Sequence, residues 1–215
     1  MGLGTPICAK WLTVIYTDSH TKCGGFEVKL REKKPILLCI DIQLGFLEEE
    51  YWGGNRSNKD AESVCANIIE SWRQIGLEII HVRHSSPNSQ SKLHATDKGF
   101  AFNPLALPKS DETVFTKSVN SSFIGTNLRE FIDSKGCDTL IIVGLTTDHC
   151  VSTTTRMAGN YGYDTYLISD ATATFDRVGV NGEHYDSELI HSTALASLSG
   201  EFATVIKSDE LFNRL

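Results

Sequence analysis

The chain has 215 residues, 40% of them hydrophobic and 22% charged, and a net charge of −7. A chain of this size buries roughly 70% of its unfolded surface, so one sizeable domain forms without a disulfide or metal staple. An acidic chain with no strong basic run is a poor partner for nucleic acid or an anionic membrane, and no apolar run approaches the roughly 20 residues of a membrane span.

Residues 1–34 stand apart from the rest of the chain. Gly24-Gly25 interrupts them, and 29–34 is a charged run. The weakly apolar stretch 9–16 lacks the h-region and cleavage site of a signal peptide. We read 1–34 as an N-terminal extension, either a loosely docked tail or an oligomerisation arm, and 35–215 as the domain.

From Pro35 a rhythm sets in. The continuous apolar run 36–40, ending at Asp41, reads as a strand buried on both faces. Residues 60–76 read as a helix with Val64, Ile68, Ile69, Trp72 and Ile75 on one stripe and Gly76 at its end. Strand 77–82 comes next. The polar stretch 85–112 is too long for a plain connector and reads as functional or as a lid, with Phe100 and Phe102 either in that lid or in the core. Then come strand 113–116, helix 122–134, strand 140–145, helix 150–162, strand 165–169, helix 183–198 and a last strand, 202–206. Strands alternating with amphipathic helices predict an α/β domain, three layers around a mainly parallel sheet with right-handed crossovers.

In such sheets ligands bind beyond the carboxyl ends of the strands. Asp41, Lys117 and the turn 146–150 all fall there. Cys150 is either a nucleophile, with helix N–H groups favouring its thiolate and holding an oxyanion, or a small buried residue at a helix start. Asp41 is a base, a metal ligand, or a turn-capping carboxylate. Lys117 is a charged partner or a solvated side chain. Taken together, a carboxylate to accept the thiol proton and an ammonium to stabilise both anions make an activated nucleophile. The six cysteines, Cys8, Cys23, Cys39, Cys65, Cys137 and Cys150, contain no C-x-x-C pair, which disfavours zinc ribbons and dithiol redox chemistry. A disulfide framework is also out of character here, so we expect a reducing, cytoplasmic setting.

Three separated blocks carry a resemblance. Asp41-Ile42-Gln43-Leu44-Gly45-Phe46 resembles the D-x-Q-x-x-F block of the isochorismatase-like cysteine hydrolases. The run from Lys117 through Ser121 and Phe123 to Thr126 resembles their K-x-x-x-S-x-F-x-x-T block, and Gly144 to Val151 their nucleophile block G-x-x-T-x-x-C-V. Later stretches (156–160, 170–177 and 191–196) look like the streptothricin-hydrolase-like branch, whose substrates are amides or lactams. The resemblance implies a Rossmann-like fold and a triad in which Asp41 is general base, Lys117 its electrostatic partner and Cys150 the nucleophile. It also implies a cis peptide at Leu145–Thr146, with the Thr146 and Cys150 N–H groups forming one oxyanion hole. The reaction implied is hydrolysis of a C–N amide bond through an acyl-thioester, by a dimer or tetramer acting on a small molecule.

Nicotinamidases of the family carry an Asp-x-His pattern and further histidines for a divalent metal. Residues 81–89 lack that pattern, and His84 with His94 is a poor ligand set, so we expect neither metal nor cofactor. True isochorismatases instead cleave a vinyl ether in a dianion, for which Arg83 and Arg156 are the candidate anchors. Gln43, Phe46, Asn120, Phe123 and His149 are candidate substrate contacts, each with a packing or capping alternative. A non-catalytic binding module is the reading from outside enzymology. A nucleotide-binding Rossmann protein ranks lower, because no G-x-G-x-x-G follows a strand.

Overall fold

The computed structural model describes residues 29–215. In chain order its strands are β1 (Ile36–Ile40), β2 (Ile79–His84), β3 (Thr113–Lys117), β4 (Thr139–Leu145), β5 (Asp164–Ala173), β6 (Arg177–Val178), β7 (His184–Tyr185) and β8 (Thr204–Ile206). The helices are α1 (Glu49–Trp52), α2 (Ala61–Ile75), α3 (Leu128–Ser134), α4 (Ser152–Asn160), α5 (Ser187–Leu198) and α6 (Ser208–Arg214). Six strands form one parallel sheet in the order β3-β2-β1-β4-β5-β8, while β6 and β7 make a separate antiparallel pair.

Strand β1 has no polar alternation because both of its faces are covered. Leu37 and Cys39 join the core under α2 with Ile68, Ile69 and Trp72. Ile36, Leu38 and Ile40 join the opposite layer with Leu128, Ile132, Ala158 and Leu198. Side chains alternate faces with period two, so two buried faces read as one apolar run. On α2 the fully buried residues are Cys65, Ile68, Ile69 and Trp72, with Val64 and Ile75 half-buried at the edge. The Trp72 indole N–H, out of reach of water, donates to Pro35 O at 3.1 Å.

Several element boundaries differ from the expectation, each for a local reason. The helix expected from 122 starts at Leu128. Thr126 Oγ1 donates to Ser122 O and accepts from Leu128 N at 3.4 Å, and Ser122 N donates to Thr154 Oγ1 at 3.0 Å. Such side-chain bonds give the backbone an alternative to the helix. The helix expected from 150 starts at Ser152, behind a π-type turn over Thr147–Val151. The helix expected from 183 starts at Ser187, capped by the Asp186 carboxylate accepting from Glu188 N at 2.9 Å. Strand β2 runs on to His84 and β5 to Ala173, and α6 adds a helix beyond the expected elements. The long stretch after β2 is pinned down by the Gln43–Phe102 bridge and by Asn103 N donating to Ile42 O at 2.9 Å. Phe100 and Phe102 pack on the Arg83 guanidinium, 4.4 and 5.6 Å from the ring centres. The expectation for residues 1–34 falls mostly outside the described residues. Of the part described, Leu30 is already buried in the core.

The order of connection reverses between β1 and β4, which leaves a crevice at their carboxyl ends. Gly144 lets the two strands meet there. Its φ is +120°, and a Cβ on it would collide with the Ile40 carbonyl oxygen. Gly144→Ala is expected to cost about 2–4 kcal/mol, combining a disallowed backbone angle with overpacking. A thermal melt should show that as a fall of roughly 5–15 °C. An unchanged melting temperature would mean that β1 and β4 do not meet in this way.

Candidate active site

Three strand ends bring Asp41, Lys117 and Cys150 to this crevice. Asp41 is the first residue after β1 and adopts a left-handed backbone, φ +51°, a conformation Asp tolerates better than most side chains. Its N–H donates to Val82 O at 2.8 Å, and its carbonyl accepts from Gln43 N at 2.8 Å. Lys117 closes β3 at the edge of the sheet, two strands away from β1. Cys150 sits in the π-type turn after β4, and the Leu145–Thr146 peptide that leads into the turn is cis.

The long Lys117 stem spans the gap between β3 and β1. Its ammonium lies 2.6 Å from Asp41 Oδ2, 3.2 Å from Cys150 Sγ and 3.1 Å from His84 Nδ1. All three N–H bonds of the ammonium thus have an acceptor. The side chains of Lys117 and Asp41 are wholly buried. Asp41 Oδ1, by contrast, is buried with no hydrogen-bond partner. Such an orphan acceptor is costly in a folded protein unless it has work to do.

Burial pushes the Cys150 thiol well above its ordinary range, and the Asp41 charge pushes it further, against the opposing pull of Lys117. The expectation of a helix start at Cys150 meets a different local structure, since α4 begins only at Ser152 behind the π-type turn, and burial and the Asp41 charge favour the thiol there. Burial, and then the charge of Lys117, push the His84 imidazole down, so it stays neutral as well.

Asp41, His84 and Cys150 place one ligand atom each within 4.8 Å of one another, a donor set of the kind that holds a metal. The Lys117 ammonium sits among those donors and bonds to all three, so the position that a cation would fill is already taken by a fixed positive charge.

A cavity of about 200 Å³ opens over Cys150. Phe46, Trp52 and Leu93 supply its apolar wall, with Phe46 and Trp52 rings 4.8 Å apart. Thr146, Asn120 and His149 are also on the wall, Asn120 Oδ1 being 3.8 Å from Cys150 Sγ and the His149 side chain 57% exposed at the mouth. Gln43 and Phe123 do not reach the cavity. The buried Gln43 amide donates to His84 O and Phe100 O at 3.1 and 2.9 Å and accepts from His84 N at 2.8 Å. Phe123 packs against the Tyr161 and Tyr163 rings, 5.3 and 6.2 Å away.

Trp52, His84, Ser86, Ser91, Leu93 and Arg177 line the cavity without having been among the expected site residues. Arg177 lines the wall, with Nε 2.9 Å from Asp148 Oδ2 and further bonds to Trp52 O, Asp176 O and Thr174 Oγ1. Nothing in the spacing of 148 and 177 signals that pair. His84, weighed from the sequence only as a metal ligand, ends a strand just as Lys117 does, two residues beyond the expected end of β2.

A parallel sheet whose switch-point crevice holds a buried cysteine between a carboxylate and an ammonium defines an α/β enzyme with a thiol-centred site. The isochorismatase domain model matches residues 35–210. The uncharacterised isochorismatase family protein YrdC of Bacillus subtilis is 47% identical over 182 residues, covering 85% of this chain and 96% of its own. Nicotinamidase 3 of Arabidopsis thaliana is 33% identical over 205 residues, covering 86% of this chain and 92% of its own. The crystal structure of an isochorismatase-family protein from Chromobacterium violaceum superposes with a TM-score of 0.82 at 35% identity, covering 88% of this chain and 97% of that one. The chain belongs to the isochorismatase family of hydrolases. Among the described residues no helix is long and apolar enough to cross a membrane.

Proposed function

We propose that the protein hydrolyses a C–N amide or lactam bond of a small, uncharged molecule through an acyl-thioester on Cys150. The observation that carries this reading is the orphaned, buried Asp41 Oδ1 next to a neutral thiol, with Oδ2 held by Lys117. A base with one free oxygen suits a nucleophile that has to lose its proton during attack.

Asp41 carries the proton through each step. As Sγ bonds to the carbonyl carbon, its proton passes to Asp41, and the carbonyl π pair moves onto oxygen. The N–H groups of Thr146 and Cys150 hold that oxyanion. Collapse breaks the C–N bond, and Asp41 returns the proton to the departing nitrogen. Water then attacks the thioester and gives a proton to Asp41; the C–S bond breaks, its electron pair goes to sulfur, and Asp41 returns the proton to Sγ to restore the thiol.

Charge favours the amide over the vinyl ether of a dianion. Arg83 packs on Phe100 and Phe102, and Arg156 bonds to Ser152 and Ser197, so neither expected anchor is on the cavity wall. Arg177 is there but is paired with Asp148. Nicotinamidase 3 is named for an amide, which agrees with the same reading. A cytoplasmic dimer or tetramer belongs to this proposal. Val178 and Val180, 77% and 101% exposed on the β6–β7 hairpin, offer contact surface that sedimentation velocity tests directly.

The test is a panel of neutral amides and lactams, assayed for ammonia or amine release with wild type and Cys150→Ala. Loss of the nucleophile is expected to cost about 10³-fold or more in kcat, and trapped wild type should carry the acyl mass on the Cys150 peptide. More than about a tenth of wild-type turnover in Cys150→Ala would sink the thioester route.

A further inference from the structure

We propose that His84 is a substrate-orienting residue of this site: Lys117 holds its ring as the neutral Nε2–H tautomer, and that N–H donates to an acceptor atom beside the scissile carbonyl. The second half rests on the amidase reading; the first does not.

The backbone register makes the contact. His84 and Lys117 are paired residues at the ends of β2 and β3, so the imidazole lies alongside the lysine stem. Gln43 clasps the His84 backbone from both sides, which fixes where the ring starts. The His84 backbone N–H and carbonyl face Gln43, and the residue is part of the cavity wall.

An ammonium can only donate. The 3.1 Å contact between Lys117 Nζ and His84 Nδ1 therefore makes Nδ1 an acceptor. A neutral imidazole has one donor and one acceptor nitrogen, so the proton is on Nε2. Burial and the neighbouring ammonium both oppose the imidazolium, in which Nδ1 would carry a proton pointing at Lys117. Among the described residues Nε2–H has no hydrogen-bond partner, although the residue is not exposed. A donor left open by the protein, on a half-buried residue of a cavity wall, is suited to a ligand. A site built to hydrogen-bond its substrate rejects an analogue that lacks the partner atom.

Two measurements test this. The first is 15N NMR of the imidazoles, with His84 assigned by loss of its signal in His84→Leu. Between pH 6.5 and 8 the wild-type ring should be in the Nε2–H form, and Lys117→Met should release it to a mixture of tautomers. An Nδ1–H or charged ring in wild type, or no response to Lys117→Met, overturns the assignment.

The second uses methoxyacetamide and butanamide, which differ by one ether oxygen in place of a methylene. In Cys150→Ala, the His84 Nε2–H resonance should move with methoxyacetamide and stay with butanamide. Equal responses overturn the donor role. In wild-type turnover kcat/KM should favour methoxyacetamide by about tenfold, the value of one hydrogen bond. His84→Leu should bring that ratio close to one, and His84→Gln, with its own side-chain N–H, should restore part of it. A ratio that survives in His84→Leu also overturns the role. If wild type cleaves neither amide while the NMR results hold, the amidase reading fails and His84 stands as the ligand donor of this cavity.

Discussion

Asp41→Asn is expected to abolish amide hydrolysis and, in the same protein, to speed alkylation of Cys150 by iodoacetamide near neutral pH. The two effects come from the two roles the proposed mechanism gives the carboxylate. As the proposed base it takes the thiol proton in the attack step, and an amide oxygen cannot. Losing a positioned base typically costs about 10²–10⁴-fold. As a charge it holds the thiol proton in place. Burial is the larger reason that Cys150 is pushed up, Asp41 the next, and Lys117 opposes both. With Asn at 41 the repulsion goes and the attraction of Lys117 stays, so thiolate forms at lower pH. The alkylation profile should move to lower pH, and the rate at pH 7 should rise by about tenfold for each unit moved. Peptide mapping supplies the control. Cys39 and Cys65 are buried elsewhere and Cys137 is half-buried, so their rates should not change. Slower or unchanged alkylation of Cys150 would mean that Asp41 does not act on the thiol as a charge. Retained hydrolysis would place the base elsewhere.

Much of the fold was legible because burial wrote it into the apolar pattern. Strand β1 shows this best, since two covered faces leave no polar residue between Ile36 and Ile40. The meeting of Asp41, Lys117 and Cys150 was legible from one rule, that ligands gather beyond the carboxyl ends of parallel strands. That rule works only as well as the strand ends are known. A boundary two residues short at β2 left His84, weighed only as a metal ligand, unplaced beside the Lys117 ammonium. Contacts set by tertiary packing left no local trace. Gln43 has the spacing of a cavity residue, yet its amide is occupied by the His84 and Phe100 backbone. Phe123 follows Lys117 by six residues, but the strand order turns it toward Tyr161 and Tyr163. The helix expected over 150–162 began late for a reason in the turn itself. Val151 N reaches back five residues to Thr146 O at 3.2 Å, a π-type bond that hydrophobic periodicity does not register.

Lys117→Met is expected to remove activity and a large share of stability together, which separates it from Cys150→Ala. Methionine keeps the volume and the flexible stem but has no charge and no donor. Three acceptors then lose a partner at once, and the fully buried Asp41 is left as an unpaired anion with both oxygens unsatisfied. Breaking a buried pair from one side costs about 3–5 kcal/mol, because the remaining charge keeps its desolvation penalty. For a domain of this size that is a fall of roughly 6–20 °C in melting temperature. A further measurement identifies the cause. A double variant, Asp41→Asn with Lys117→Met, removes the stranded charge at every pH and should be more stable than Lys117→Met alone. Chemistry responds separately: with the ammonium gone nothing offsets burial and Asp41 at Cys150, so alkylation near neutral pH should slow, the opposite of Asp41→Asn. If Lys117→Met melts like wild type, the ammonium is not buried against Asp41, and both the activation of Cys150 and the tautomer of His84 need another origin.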